Sequence, residues 1–308
     1  MTGQASEMSE TVEAPAVAAT ATATRPLYWS VRRELWENRS IYAAPLAVAA
    51  LALAGFVIGL FRLPGRIRAM AALSPLDQHQ ALAEPYSLVA YLVMATTFVV
   101  TLVYCIDAFQ GERRDRSVLF WKSLPVSDTT TVLAKAIVPV VILPLLTVAV
   151  TFVTHLVMLV LSSMTLAASG MSAALPWREV SFLSMSGLML YHMVAVHALW
   201  YAPIYGWLLL ASAAARRAAF LLALIPPLAI WLVERIAFNT SHFAALLMSR
   251  LAGGSATHMS SPGAVLDATN THVTPGAFLA SPGLWIGFVL TAGCLAMAVR
   301  LRHRQGAA

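Results

Sequence analysis

Apolar residues along this chain gather into six long runs, approximately Ser40 to Phe61, Tyr86 to Ile106, Val132 to Leu161, Leu183 to Ala211, Ala218 to Ile236 and Pro282 to Val299. Each is near or above the roughly 20 residues that a helix needs to cross a hydrocarbon core about 30 Å thick. The pattern predicts an all-α integral membrane protein with six transmembrane helices. Ahead of the first run, Leu27 to Asn38 has a helical amphipathic pattern. Leu27, Tyr28, Val31, Leu35 and Trp36 share one broad face, with Arg33, Glu34 and Glu37 expected opposite. This predicts an amphipathic N-terminal interfacial helix, with Trp29 and Trp36 at headgroup level.

Composition agrees with lipid as the solvent, since 59% of the 308 residues are hydrophobic and only 11% are charged, against roughly 25% charged in soluble domains. The surplus of 20 Lys+Arg over 14 Asp+Glu reads as a topological signal because of where the cations fall. Fourteen flank one side of the six runs, among them Arg25, Arg39, Arg113, Lys135, Arg216 and Arg302, and six lie on the other. The positive-inside rule then places both termini in the cytoplasm of a multi-pass protein of a bacterial cytoplasmic (inner) membrane. The lipid bilayer is an expected partner and nucleic acid is not. Residues 1–24, rich in Ala, Thr and Glu, are expected to form a disordered cytoplasmic tail. Residues 25–304 form the six-span unit, with a cytoplasmic loop at 107–131 and an outer loop at 237–281. Residues 305–308 are a C-terminal tail.

The connection between the second and third runs, Tyr104 to Lys135, is dense in charge between two apolar walls. Asp107 ends the second span, Gly111 permits a turn, and Glu112, Arg113, Arg114, Asp115 and Arg116 form a charged cluster. Val118, Leu119, Phe120, Trp121 and Leu124 then return to apolar character around Lys122, and Pro125 breaks the helix before Asp128, an expected N-cap of the third span. A positive-inside loop explains the arginines but not the aromatic residues, which suit docking of a cytoplasmic partner.

The stretch "GERRDRSVLFWKSLPVSD", Gly111 to Asp128, resembles the corresponding loop in permeases of the type-2 ABC exporter family. A second stretch, "LWYAPIYGWLLLASAAARRAAFLLALIPPLAIWLVERI" from Leu199 to Ile236, is similar to the same proteins, and the likeness covers about residues 25 to 304. The resemblance implies a permease domain whose coupling helix lies within Glu112 to Asp128, with Glu112, Arg113, Arg114, Asp115, Arg116, Phe120, Trp121, Lys122, Leu124 and Asp128 facing a cytoplasmic ABC ATPase subunit. It also implies a second permease copy or a paralogue completing a dimer. The sequence has no G-x-x-x-x-G-K-[ST] phosphate loop. ATP is therefore expected on the partner subunit, with no cofactor bound by this chain.

Ionisable residues inside the runs are His155, His192 and His197, with Glu234 and Arg235 at the outer end of the fifth. His192 and His197, five apart, diverge by about 140° around an α-helix and make a poor metal pair. Packing roles are expected for all three histidines, and also for Cys105 and Cys294. Pro203, within the aromatic stretch Trp200 to Trp207, is expected to kink the fourth span. His197, Tyr201, Pro203 and Tyr205 are candidate lining of a translocation path. Pro226 and Pro227 are expected to break the fifth span near its middle. No catalytic or metal-ligating residues are expected. An ion-driven secondary transporter, which needs carboxylates near the bilayer midplane, and a non-transporting membrane scaffold are the alternative readings.

Overall fold

The computed structural model describes residues 25–70, 72, 74–114, 126–253 and 275–306. Among them, six helical segments are long and apolar enough to cross a membrane: Ser40–Leu60, Pro75–Asp107, Asp128–Ala168, Phe182–Trp200, Ala219–Phe238 and Pro282–Arg304. The chain is an all-α membrane protein. Leu51, Ile58, Ile236 and Val289 stand exposed on these segments, which costs nothing when the surrounding solvent is lipid. Several buried hydroxyls are satisfied within their own helices. The hydroxyls of Thr101 and Thr154 donate to the carbonyl four residues back, and those of Thr97 and Thr147 lie 2.6 Å apart between helices, one donating to the other and the acceptor donating to the carbonyl four residues back in its own helix.

Helix α1 (Pro26–Glu37) leads into α2 (Ser40–Leu60), α3 (Leu63–Met70) and α4 (Pro75–Asp107). Proline at the first position starts both α1 and α4, where its missing N–H is not needed. The Ser74 hydroxyl caps α4 by accepting from the Asp77 N–H. A short α5 (Gln110–Arg114) follows, and the third span opens with α6 (Asp128–Ile137). Its N-cap is Ser127, one residue before the expected Asp128, because the extended Ser127 backbone lets its hydroxyl accept from the Thr130 N–H. This leaves the Asp128 carboxylate free for long-range pairing. Gly111 sits within helical α5 rather than in a turn, and a Cβ there would come within 3.1 Å of the Asp107 carboxylate.

Proline shapes the next three spans in different ways. A π-helical turn, Val138–Ile142, contains Pro139 and joins α6 to α7 (Leu143–Ala168), whose second residue is Pro144. The fourth span, after α8 (Leu175–Glu179), is α9 (Phe182–His192), a π-helix over Met193–Trp200 and then α10 (Ala202–Ala214). Pro203 has no N–H for the Leu199 carbonyl, and the ladder shifts ahead of it. The Tyr201 N–H bonds the Val196 carbonyl five residues back at 2.9 Å, and the helix restarts at Ala202. The fourth span is thus interrupted at Tyr201, two residues before the proline expected to kink it.

The expected break at Pro226 and Pro227 is absent. Helix α11 (Ala219–Val233) runs through both prolines, and the irregular π turn comes later, at Glu234–Phe238. The Ala223 carbonyl, four residues before Pro227, accepts instead from the Trp207 indole N–H at 3.0 Å. A neighbouring helix thus supplies one donor that proline removed. Trp207→Phe is expected to cost about 1–2 kcal/mol by leaving that carbonyl unpaired in lipid, seen as a lower thermal midpoint of the purified chain.

Glu234 does not pair with the adjacent Arg235. Its carboxylate caps the next helix, α12 (His242–Leu251), accepting from the His242 and Phe243 N–H groups and the Thr240 hydroxyl. Helix α12 folds back against the break in the fourth span. The Trp200 indole and Tyr201 hydroxyl donate to the Arg250 and Leu251 carbonyls, and the Arg250 guanidinium donates to the Trp200 and Gly283 carbonyls. Arg250 also stacks 4.1 Å from the Trp200 ring. After α13 (Pro275–Ala280), α14 (Pro282–Gly306) packs closely along α10. Helix α1, the start of α6 and the last turns of α14 meet at one end of the bundle, which we call the near end.

Candidate functional site

At the near end, three carboxylates from separate elements meet three cations among the described residues. Lys135, only 2% exposed, donates to Glu34 at 2.8 Å and lies 3.1 Å from Glu112. Arg302 on α14 bonds Glu112 at 3.1 Å through one guanidinium nitrogen and Asp128 at 3.3 Å through another. Arg33 completes the group, 3.4 Å from Glu112 and 2.7 Å from Glu37. The Tyr104 hydroxyl donates to the second Glu34 oxygen at 2.9 Å, and the Phe109 ring lies beneath both Lys135 and Arg302. Buried charges survive when paired and hydrogen-bonded in this way.

Glu34 is turned inward, against the expectation that it lay on the polar face of the amphipathic helix. It follows Leu27 by seven residues and Val31 by three, spacings that share one helical face. The exposed side of α1 carries Tyr28, Trp29 and Trp36, with Arg32 stacked between the two tryptophans at 5.3 and 5.1 Å. The cations counted as topological signals are, in Arg33, Lys135 and Arg302, partners in a cluster that spans the chain from α1 to α14. Lys135 stands seven residues, two helical turns, after Asp128, a periodicity that points both to one face of α6.

Of the residues expected to couple to an ATPase, Glu112 and Asp128 belong to this cluster. Arg113 points into the protein, where its guanidinium donates to the Ser212 and Ala213 carbonyls at the end of α10. Ser212 in turn accepts from the Phe109 and Gln110 N–H groups, and Gln110 accepts from the Ala219 N–H at the start of α11. The α5 segment therefore also fixes the corner between the fourth and fifth spans. Arg114 closes α5. Asp115, Arg116, Phe120, Trp121, Lys122 and Leu124 lie outside the described residues.

Burial raises the Glu112 carboxyl, but Lys135, Arg302 and Arg33 together outweigh it and leave the value lowered. A carboxyl lowered on folding stabilises the fold fully above its unfolded value, about 4.3, and that contribution is lost as pH falls through the lower folded value. The thermal midpoint is therefore expected to hold from pH 7 to about 5 and fall below about 4. Glu112→Gln should flatten that fall.

The candidate path residues form a buried aromatic column. His197 contacts Tyr201 with ring centres 5.3 Å apart, Tyr201 contacts Tyr205 at 6.4 Å, and Phe98 packs on His197 and Tyr201. Pro203 faces Gly287 on α14. His155 has the expected packing role, bonding the Tyr86 carbonyl at 2.9 Å. His192 and His197 depart from expectation, because the π-helix stacks residues five apart and brings their rings to 5.6 Å. Comparison of the chain with protein-family models, curated proteins and solved structures gives no match to any of them.

Proposed function

We infer that this chain is the membrane-spanning permease subunit of an ATP-driven exporter, coupled at its near end to a separate cytoplasmic ATPase subunit. The observation that supports this reading best is the double anchoring of the segment 115–125. Glu112 lies three residues before it, Asp128 three residues after it, and the single Arg302 guanidinium holds both. A segment tied at each end to the same buried cluster transmits displacement to α1, α4, α6 and α14 together, since Glu34, Tyr104, Lys135 and Arg302 all join that cluster. Arg113 extends the linkage to α10 and Gln110 extends it to α11. Interfaces and packed cores convert such pushes into discrete rearrangements.

Phe120 and Trp121 supply the apolar contact on the ATPase in this reading, and a second permease copy or a paralogue completes the translocation path. A photo-crosslinking amino acid at position 120 is expected to capture an ATP-hydrolysing polypeptide in the native membrane. Trp121→Ala should lower that capture by about tenfold or more, the usual cost of losing a central aromatic anchor, while leaving the thermal midpoint unchanged. Full capture and full transport in the Phe120→Ala/Trp121→Ala double variant would remove the coupling assignment.

A further inference from the structure

The geometry points to a two-coordinate metal site between His192 and His197, taking one soft monovalent ion such as Cu(I), with Ag(I) as its redox-inert surrogate. Each ring leaves its Nδ1 buried and without a hydrogen bond, and His197 is only 7% exposed. Buried polar atoms in folded proteins nearly always have a partner, and among the few such atoms of the described residues without one these two are the only pair of metal-ligating nitrogens on neighbouring rings. The ring centres are 5.6 Å apart. An ion about 2 Å from one nitrogen of each imidazole would hold the centres about 6 Å apart.

The choice of ion follows from what surrounds the pair. Among the described residues no group of three or more His, Cys, Asp or Glu side chains is placed to hold a metal, which argues against the four-coordinate site zinc adopts. The rings of Phe98 and Tyr201 pack on His197, and in such apolar surroundings a divalent ion without an anionic ligand is strongly disfavoured. Two neutral imidazoles satisfy a singly charged ion that accepts linear coordination, and imidazole is among the ligands that suit copper. The register that creates the pair exists only in the π-helix, a form that recurs at functional sites. The site does not depend on the exporter reading.

The test is X-ray absorption on the full chain in nanodiscs loaded with one equivalent of Ag(I), together with Cu(I) competition against a chromophoric chelator. Two nitrogen scatterers near 2 Å, one ion held per chain and a loss of affinity of about 10- to 100-fold or more in His192→Gln or His197→Gln are expected. Cys105→Ser/Cys294→Ser should bind as the parent does. Sulfur ligation in the parent chain, undiminished binding in the histidine variants, or only ordered water at the two Nδ1 atoms in metal-treated protein would overturn the site. The absorption spectrum of the parent decides the matter even where a variant fails to fold.

Discussion

Glu34→Ala is expected to lower the unfolding free energy of the solubilised chain by about 3–5 kcal/mol, the usual cost of removing one partner from a buried ion pair. The variant strands the Lys135 ammonium, 2% exposed, with Glu112 at 3.1 Å as its remaining counter-charge. It also removes the acceptor of the Tyr104 hydroxyl. Lys135→Met should cost a similar amount by leaving Glu34 unpaired. The double variant Glu34→Leu/Lys135→Met is expected to lose less than the sum of the two single losses, because it strands neither charge of the pair, although the Tyr104 hydroxyl stays without its acceptor and Glu112 keeps only its arginines. Denaturant unfolding of the three variants checks this. Strictly additive losses would mean that the two side chains are not energetically paired.

Gly287→Leu is expected to cost about 3 kcal/mol by overpacking and by freeing backbone carbonyls. A Cβ at this position would lie 2.9 Å from both the Pro203 ring and an Arg250 guanidinium nitrogen. The ring is rigid and the adjoining α10–α14 seam is close, with the site of a Cβ on Gly206 only 3.2 Å from the Thr291 backbone. Arg250 must therefore withdraw, leaving the Trp200 and Gly283 carbonyls without their donor. Small residues allow this approach of helices in lipid. Gly293→Leu is the control, since nothing lies within 4 Å of a Cβ there, and its thermal midpoint should match the parent. Equal midpoints for the two variants would contradict the seam.

Span number and type were legible because each apolar run must by itself satisfy a bilayer of fixed thickness. That requirement is local, so α2, α11 and α14 appear close to where hydropathy puts them, whereas α4 ends as expected but begins at Pro75, eleven residues before the apolar run. Helix α1 was legible as a helix but its faces were not, since Tyr28 and Trp36, expected on one face with Val31 and Leu35, are exposed and Glu34, expected opposite, is buried. Glu34 reads as polar in isolation, and its burial depends on Lys135, 101 positions away. Arg302 joins Glu112 across 190 positions, and no local pattern announces such a pairing.

Prolines were legible as missing donors but not in their consequences. Pro227 leaves α11 continuous because Trp207, 16 positions from the Ala223 carbonyl, supplies a replacement donor. Pro203 acts upstream of itself, on the π-helical turns that place His197 beside His192. Angular arguments that assume 3.6 residues per turn fail at such a segment. On either side of residues 115–125, Glu112 and Asp128 stood out in the sequence by their charge, whereas Arg302, the cation that joins them, lies on α14.

The most direct measurement is purification of the full chain from its own membrane, followed by an assay of ATP hydrolysis in the material that comes with it. The account predicts a stoichiometric ATPase subunit that is lost when Trp121 and Phe120 are replaced by alanine and retained in Gly293→Leu. A chain that purifies alone, with no ATP-hydrolysing partner and with unimpaired cargo movement or none at all, would contradict it and favour an ion-driven transporter or a membrane scaffold.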